Sequence, residues 1–107
     1  MPVPEIDVDE LAHLRKGDVP LIDVREPHEY TEFHVAGAVL LPLGQVAARL
    51  DEIPKGETVY VICRSGARSA KAAEHMIANG IEAVNVAGGS LAWRSAGHPV
   101  VAGSDPG

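Results

Sequence analysis

The sequence is poor in cysteine, in aromatic residues, in basic residues and in long apolar runs, and each scarcity excludes something. One cysteine in 107 residues cannot close an internal disulfide. The fold therefore needs no oxidising compartment, and a reducing cytoplasm is the expected location. Aromatic residues are 4% of the chain while hydrophobic residues are 46%, so the core must be built from Val, Leu, Ile and Ala. That composition suits helices packed on a mainly parallel sheet better than an aromatic-rich sandwich. Lys and Arg total 9 against 15 Asp and Glu, a formal net charge of -6, which leaves no basic face for nucleic acid. No apolar run reaches the roughly 20 residues of a membrane-spanning helix. Residues 1–10 carry four acids and no apolar block, so a signal peptide is not expected.

What is present reads as a single α/β domain over residues 1–101, followed by a Gly/Ser/Asp/Pro tail, 102–107, expected to be disordered. Asp7 with Glu10 three residues on resembles a capping box, and Val8, Leu11, Ala12 and Leu14 then mark one helix face until Gly17. Pro20-Leu21-Ile22-Asp23-Val24 is a short apolar run read as a strand, broken by Arg25-Glu26-Pro27, where Pro27 starts a helix with Tyr30 and Phe33 facing inward. Gly37 permits a turn before the strand Val39-Leu40-Leu41. Leu43, Val46, Ala47, Leu50 and Ile53 keep helical spacing, and Thr58 to Ile62 is the next strand. A helix with Ala70, Ala73, Met76 and Ile77 inward, a strand over 83–86, and a short helix over 90–96 with Leu91 and Trp93 complete the alternation. Val100-Val101 is expected to pack against the body. Such alternation predicts a mainly parallel central sheet of about five strands with helices on both faces. The loops after Val24, Ile62 and Val86 then share one sheet edge, where ligands bind in open α/β folds.

The candidate site is Cys63-Arg64-Ser65-Gly66-Ala67-Arg68-Ser69. A buried strand ends at the cysteine, and a polar loop then opens a helix whose first N–H groups lack partners. Those donors, the positive end of the helix dipole and the cations Arg64 and Arg68 all favour a thiolate, which is a nucleophile. Four residues separate Cys63 from Arg68, one fewer than in the loop of thiol-dependent phosphatases. Ser69, standing where that pattern would have its arginine, can instead cap the helix. The smaller ring of donors suits one extra sulfur on the cysteine better than a tetrahedral phosphate. Arg68 is expected to hold the loop, and Asp23 at the adjacent strand end is its expected partner. Arg25 and Glu26 read as a surface pair and helix-start charge. No general base is expected among His13, His28, His75 and His98, and one Cys with scattered His offers no metal site.

Leu21-Ile22-Asp23-Val24-Arg25-Glu26-Pro27-His28-Glu29-Tyr30, His34-Val35-Ala36-Gly37-Ala38, the segment from Cys63 to Ser69, and Gly88-Gly89 with Trp93 and Gly97-His98-Pro99 together resemble the single-domain rhodanese family. The resemblance covers nearly the whole chain. It implies a thiosulfate sulfurtransferase without a cofactor, in which Cys63 accepts sulfane sulfur as a persulfide and passes it to cyanide, a thiol or a protein acceptor. It also implies a structural role for His34. Two other readings stand beside it: a sulfur-carrier or protein-docking module without turnover of its own, and a phosphatase or arsenate reductase on the same architecture, which the loop length disfavours.

Overall fold

A computed structural model describes residues 2–107. Five strands form one sheet: β1 (Glu5–Ile6), β2 (Leu21–Asp23), β4 (Val39–Leu40), β5 (Val59–Ile62) and β6 (Ala83–Val86), in the spatial order β1-β6-β5-β2-β4. All four pairings are parallel, with Ile22 opposite both Val39 and Val61, and Val61 opposite Asn85. Two short strands, β3 (His34–Val35) and β7 (Val100–Val101), pair antiparallel as a second, separate sheet. Val100-Val101 thus packs as expected, and does so by adding backbone pairing to β3.

The alternation of side chains along each strand divides the core into two layers. Ile22, Val24, Val59, Val61, Cys63 and Ala83 meet Ala72, Ala73 and Met76 of helix α3 (Ala67–Ala78) on one face. Leu21, Ile62 and Val86 meet the other helices on the opposite face: Val8 and Leu11 of α1 (Val8–Leu14), Tyr30 of α2 (Pro27–Glu32) and Trp93 of α4 (Gly89–Ser95). Helix α1 starts as its sequence dictates, with the Asp7 carboxylate accepting the Glu10 amide at 2.8 Å. Helix α2 starts on a full capping box between Glu26 and Glu29, with Pro27 in its first turn.

Three expectations are revised. The segment 43–53 is two 3₁₀ turns, Leu43–Gln45 and Ala47–Glu52, kinked at Arg49. Pro42 and Gly44 oppose α-helix there, and Arg49 is held by Gln45 and Glu52, while Val46 and Ile53 are still buried. The six C-terminal residues do not hang free. The Gly103 amide donates to Thr31 O at 2.9 Å, and Pro106 O accepts the Gly37 amide at 2.6 Å and lies 3.2 Å from His34 Nε2. The third revision concerns Arg25, which is wholly buried rather than at the surface.

His34 is buried, stacks on Tyr30 with ring centroids 3.6 Å apart, and bonds Tyr30 O through Nδ1 at 2.8 Å. These contacts are structural in kind.

Candidate active site

Strand β5 carries Cys63 to the carboxyl edge of the sheet on the α3 face, and the chain turns at once into α3. The turn depends on Gly66, whose φ of 109° lies in the left-handed region, where a side chain is strained. In that conformation the Gly66 amide donates to Cys63 Sγ at 3.1 Å. Ser69 is not the helix cap: Gly66 occupies the cap position, and Ser69 sits inside the first turn, fully buried, with Oγ 3.3 Å from Cys63 Sγ. The thiol thus has a hydroxyl and an amide on it. Ser65 and Ala67 are exposed on the rim of the loop, as is Arg64.

Burial pushes the Cys63 thiol up, but the Ser69 hydroxyl and the amides of Ser69, Gly66 and Ser65 pull it further down, and the balance lies below the ordinary thiol value. The sign agrees with the sequence reading, although the agents differ. Backbone and hydroxyl donors do the work that had been divided between them and two arginines. Arg68 is committed elsewhere. Its Nη1 and Nη2 bond the two carboxylate oxygens of Glu29 at 2.7 and 2.8 Å, a bidentate clamp between the first turn of α3 and α2. Arg64 stands in no ion pair among the described residues.

Asp23 does not pair with Arg68. Its carboxylate takes Arg25 Nε at 3.0 Å and Nη2 at 2.9 Å, together with the Arg25 amide at 3.0 Å. Strand alternation gives the reason: Asp23 shares its face with Leu21, the α2 side, while Cys63 and α3 lie on the other. Arg25 Nη2 continues to Phe33 O at 2.7 Å, and the guanidinium groups of Arg25 and Arg94 both lie over the Phe33 ring, 5.2 and 4.1 Å from its centroid. Asp23 and Arg25 thus lie at the start of α2, the helix from which Glu29 reaches Arg68.

Helix α4 closes the loop from behind. Ser90 N donates to Cys63 O at 2.8 Å and Leu91 N to Arg64 O at 3.1 Å. The approach is close enough to require Gly89, where a Cβ would fall 2.5 Å from the carbonyl oxygens of both Cys63 and Arg64. Asn85 of β6 touches the loop from beneath, donating from Nδ2 to Gly66 O at 3.1 Å. Neither Glu29 nor Asn85 was singled out from the sequence. Glu29 is legible there only as the third residue of a capping box, and Asn85 only as one polar residue inside the apolar run Ala83–Val86.

The Glu29 carboxyl is held down at about 2, chiefly by the Arg68 guanidinium, with burial opposing and the Glu26 amide assisting. A carboxyl lowered by folding stabilises the folded state above its unfolded value near 4.5, and that contribution is lost as pH falls toward about 2. The full shift corresponds to about 3 kcal/mol, which solvent screening of a partly exposed pair reduces to about 1–2 kcal/mol. Because pH 3 lies inside the window between about 2 and 4.5, only part of this contribution is lost there, and urea unfolding at pH 6 and at pH 3 should show the wild type losing about 1 kcal/mol more stability than Glu29→Gln. Equal losses in the two proteins would remove the clamp from the account.

Fold and site together define a parallel α/β domain that holds a single thiol at the mouth of a helix under converging amide and hydroxyl donors. Residues 7–96 match the family described as the rhodanese-like domain, and the chain belongs to that family. It is 39% identical over 103 residues to a protein of Allochromatium vinosum named sulfurtransferase, covering 94% of this chain and 96% of that one. It is 38% identical over 94 residues to the putative sulfur carrier protein YrkF of Bacillus subtilis, covering 85% of this chain but only 51% of the relative. Among solved structures, a rhodanese-like domain protein from Staphylococcus aureus superposes with a TM-score of 0.82 at 38% identity, covering 85% of this chain and 91% of that one.

Proposed function

We propose that this protein is a thiosulfate-type sulfurtransferase working by two half-reactions on Cys63. The observation that carries the reading is the pair of donors on Cys63 Sγ, the Gly66 amide at 3.1 Å and the Ser69 hydroxyl at 3.3 Å, inside a loop with four residues between Cys63 and Arg68. In the first half-reaction the Cys63 thiolate attacks the outer sulfur of thiosulfate. A new S–S bond forms, the donor's S–S bond breaks, and sulfite leaves with the bonding electron pair. The cysteine is left as an anionic persulfide, which the loop donors stabilise. In the second, cyanide or a thiolate attacks the outer sulfur and the Cys63 thiolate departs unchanged. The donors on Cys63 Sγ lower the thiol below its ordinary value, which supports the thiolate as the attacking form without a dedicated general base.

Each residue of the loop has a role on this reading. Arg64, exposed and in no ion pair among the described residues, draws the anionic donor to the rim formed by Ser65 and Ala67. Gly66 and Ser69 hold the sulfur. Arg68, clamped by Glu29, keeps the loop in shape, and Asp23 with Arg25 anchors α2 behind that clamp. A single free thiol suits a reducing, cytoplasmic setting.

Intact-mass spectrometry tests the first half-reaction. After thiosulfate and gel filtration, the protein should carry one added sulfur located on Cys63, removable by cyanide with release of thiocyanate. A folded, reduced sample that stays unmodified would sink the mechanism. A second reading, that the domain carries sulfur for a partner protein, rests on the similarity to a protein named as a putative sulfur carrier. It predicts a stoichiometric persulfide with negligible turnover when only small acceptors are supplied.

A further inference from the structure

Asn85 is an anomaly of β6. It is buried to 1% exposure in a strand otherwise made of Ala83, Val84 and Val86, and a buried amide is unfavourable unless its hydrogen bonds are made. Its orientation is fixed by its neighbours. Nδ2 lies 2.7 Å from Glu5 Oε2 and 3.1 Å from Gly66 O. Both partners are acceptors, so the nitrogen must face them. The opposite atom, Oδ1, is buried without a hydrogen-bond partner among the described residues. The chain therefore tolerates an orphaned acceptor in its core to place an N–H donor under Gly66.

What that donor accomplishes follows from counting protons at Ser69. The hydroxyl has one proton and two acceptors, Cys63 Sγ and Gly66 O, each 3.3 Å from Oγ. Bonding back to Gly66 O is the ordinary choice for a serine in the first turn of a helix. Gly66 O, however, already receives the Ala70 amide at 3.2 Å and Asn85 Nδ2 at 3.1 Å, and a carbonyl oxygen has two lone pairs. With both occupied, the proton of Ser69 is left for the sulfur.

We propose that Asn85 is a positioning residue for Cys63: by saturating Gly66 O it turns the Ser69 hydroxyl toward the sulfur, and so sustains the thiolate without touching it. Asn85 acts through Ser69. The site carries other charge: Arg64 and Arg68 on the loop and α3, Glu29 on α2 against Arg68, Asp23 with Arg25 on the β2 side, and Glu5 on β1 against Asn85. Substituting Asn85 by a neutral residue changes none of these charges.

Cys63 is the only cysteine, so thiolate absorbance and the pH profile of iodoacetamide alkylation report it alone, whether or not the protein transfers sulfur. The outcome is thus separable from the fate of the sulfurtransferase reading. In Asn85→Leu, similar in size but without a donor, the thiol should titrate at higher pH and alkylate roughly three- to tenfold more slowly at neutral pH, the effect of one lost hydrogen bond. In a Ser69→Ala background the same substitution should change the rate less than about twofold, since the proton it redirects is gone. Asn85→Ser, which keeps a donor, should recover part of the loss. An equal slowing with and without Ser69, or no slowing in either, would overturn the proposal. Asn85→Ala is the second variant if the leucine is not accommodated, as read by circular dichroism, and collapse of every Asn85 variant would make Asn85 a stability residue and likewise refute the role.

Discussion

Arg25→Ala is expected to destabilise the domain by about 3–5 kcal/mol, the cost of leaving a buried charge without its partner. Arg25 and Asp23 are both at 0% exposure, and the guanidinium satisfies the Asp23 carboxylate twice while also capping Phe33 O. Removing it strands a carboxylate and a carbonyl together in the α2 face of the core. Total stability for a domain of this size is about 5–15 kcal/mol, so the variant should lie near the edge of folding, with its urea midpoint falling accordingly. A double replacement, Asp23→Leu with Arg25→Met, takes both charges away and should recover much of that loss, because an apolar pair avoids the desolvation penalty altogether. If Arg25→Ala unfolds within about 1 kcal/mol of the wild type, the buried pair is not the anchor of α2.

The largest effect on activity should come from Cys63→Ser. An alcohol is not ionised at neutral pH and cannot hold a transferable sulfur, so thiosulfate-to-cyanide turnover should fall by about a thousandfold or more, to the solution rate. Folding should be nearly unaffected. Serine is smaller than cysteine, and its Oγ can accept the Gly66 amide and the Ser69 hydroxyl that now face Sγ, so equilibrium stability should stay within about 1 kcal/mol. That split separates a chemical role from a packing role for a residue that also lies in the core layer under α3. A folded variant that keeps turnover would move the chemistry away from Cys63.

Linear spacing alone determined a good deal about this protein. Apolar runs alternating with helical patterns, closed by Gly and Pro, set the parallel α/β plan, and the strand ending at Cys63 before a short polar loop marked the thiol at the mouth of a helix. These features are local: capping residues, hydrophobic period and loop length act within a few residues along the chain. The tertiary structure decided the partnerships. Strand alternation turned Asp23 away from α3 and gave it Arg25, Arg68 went to Glu29, Asn85 came under Gly66 from 19 residues away, and Gly89 brought α4 against the loop carbonyls. Which donor meets which acceptor depends on strand order and on the face each side chain takes. The cysteine and its loop could therefore be read from the chain, whereas the groups that hold them in place emerged only once β2, β5 and β6 lay side by side.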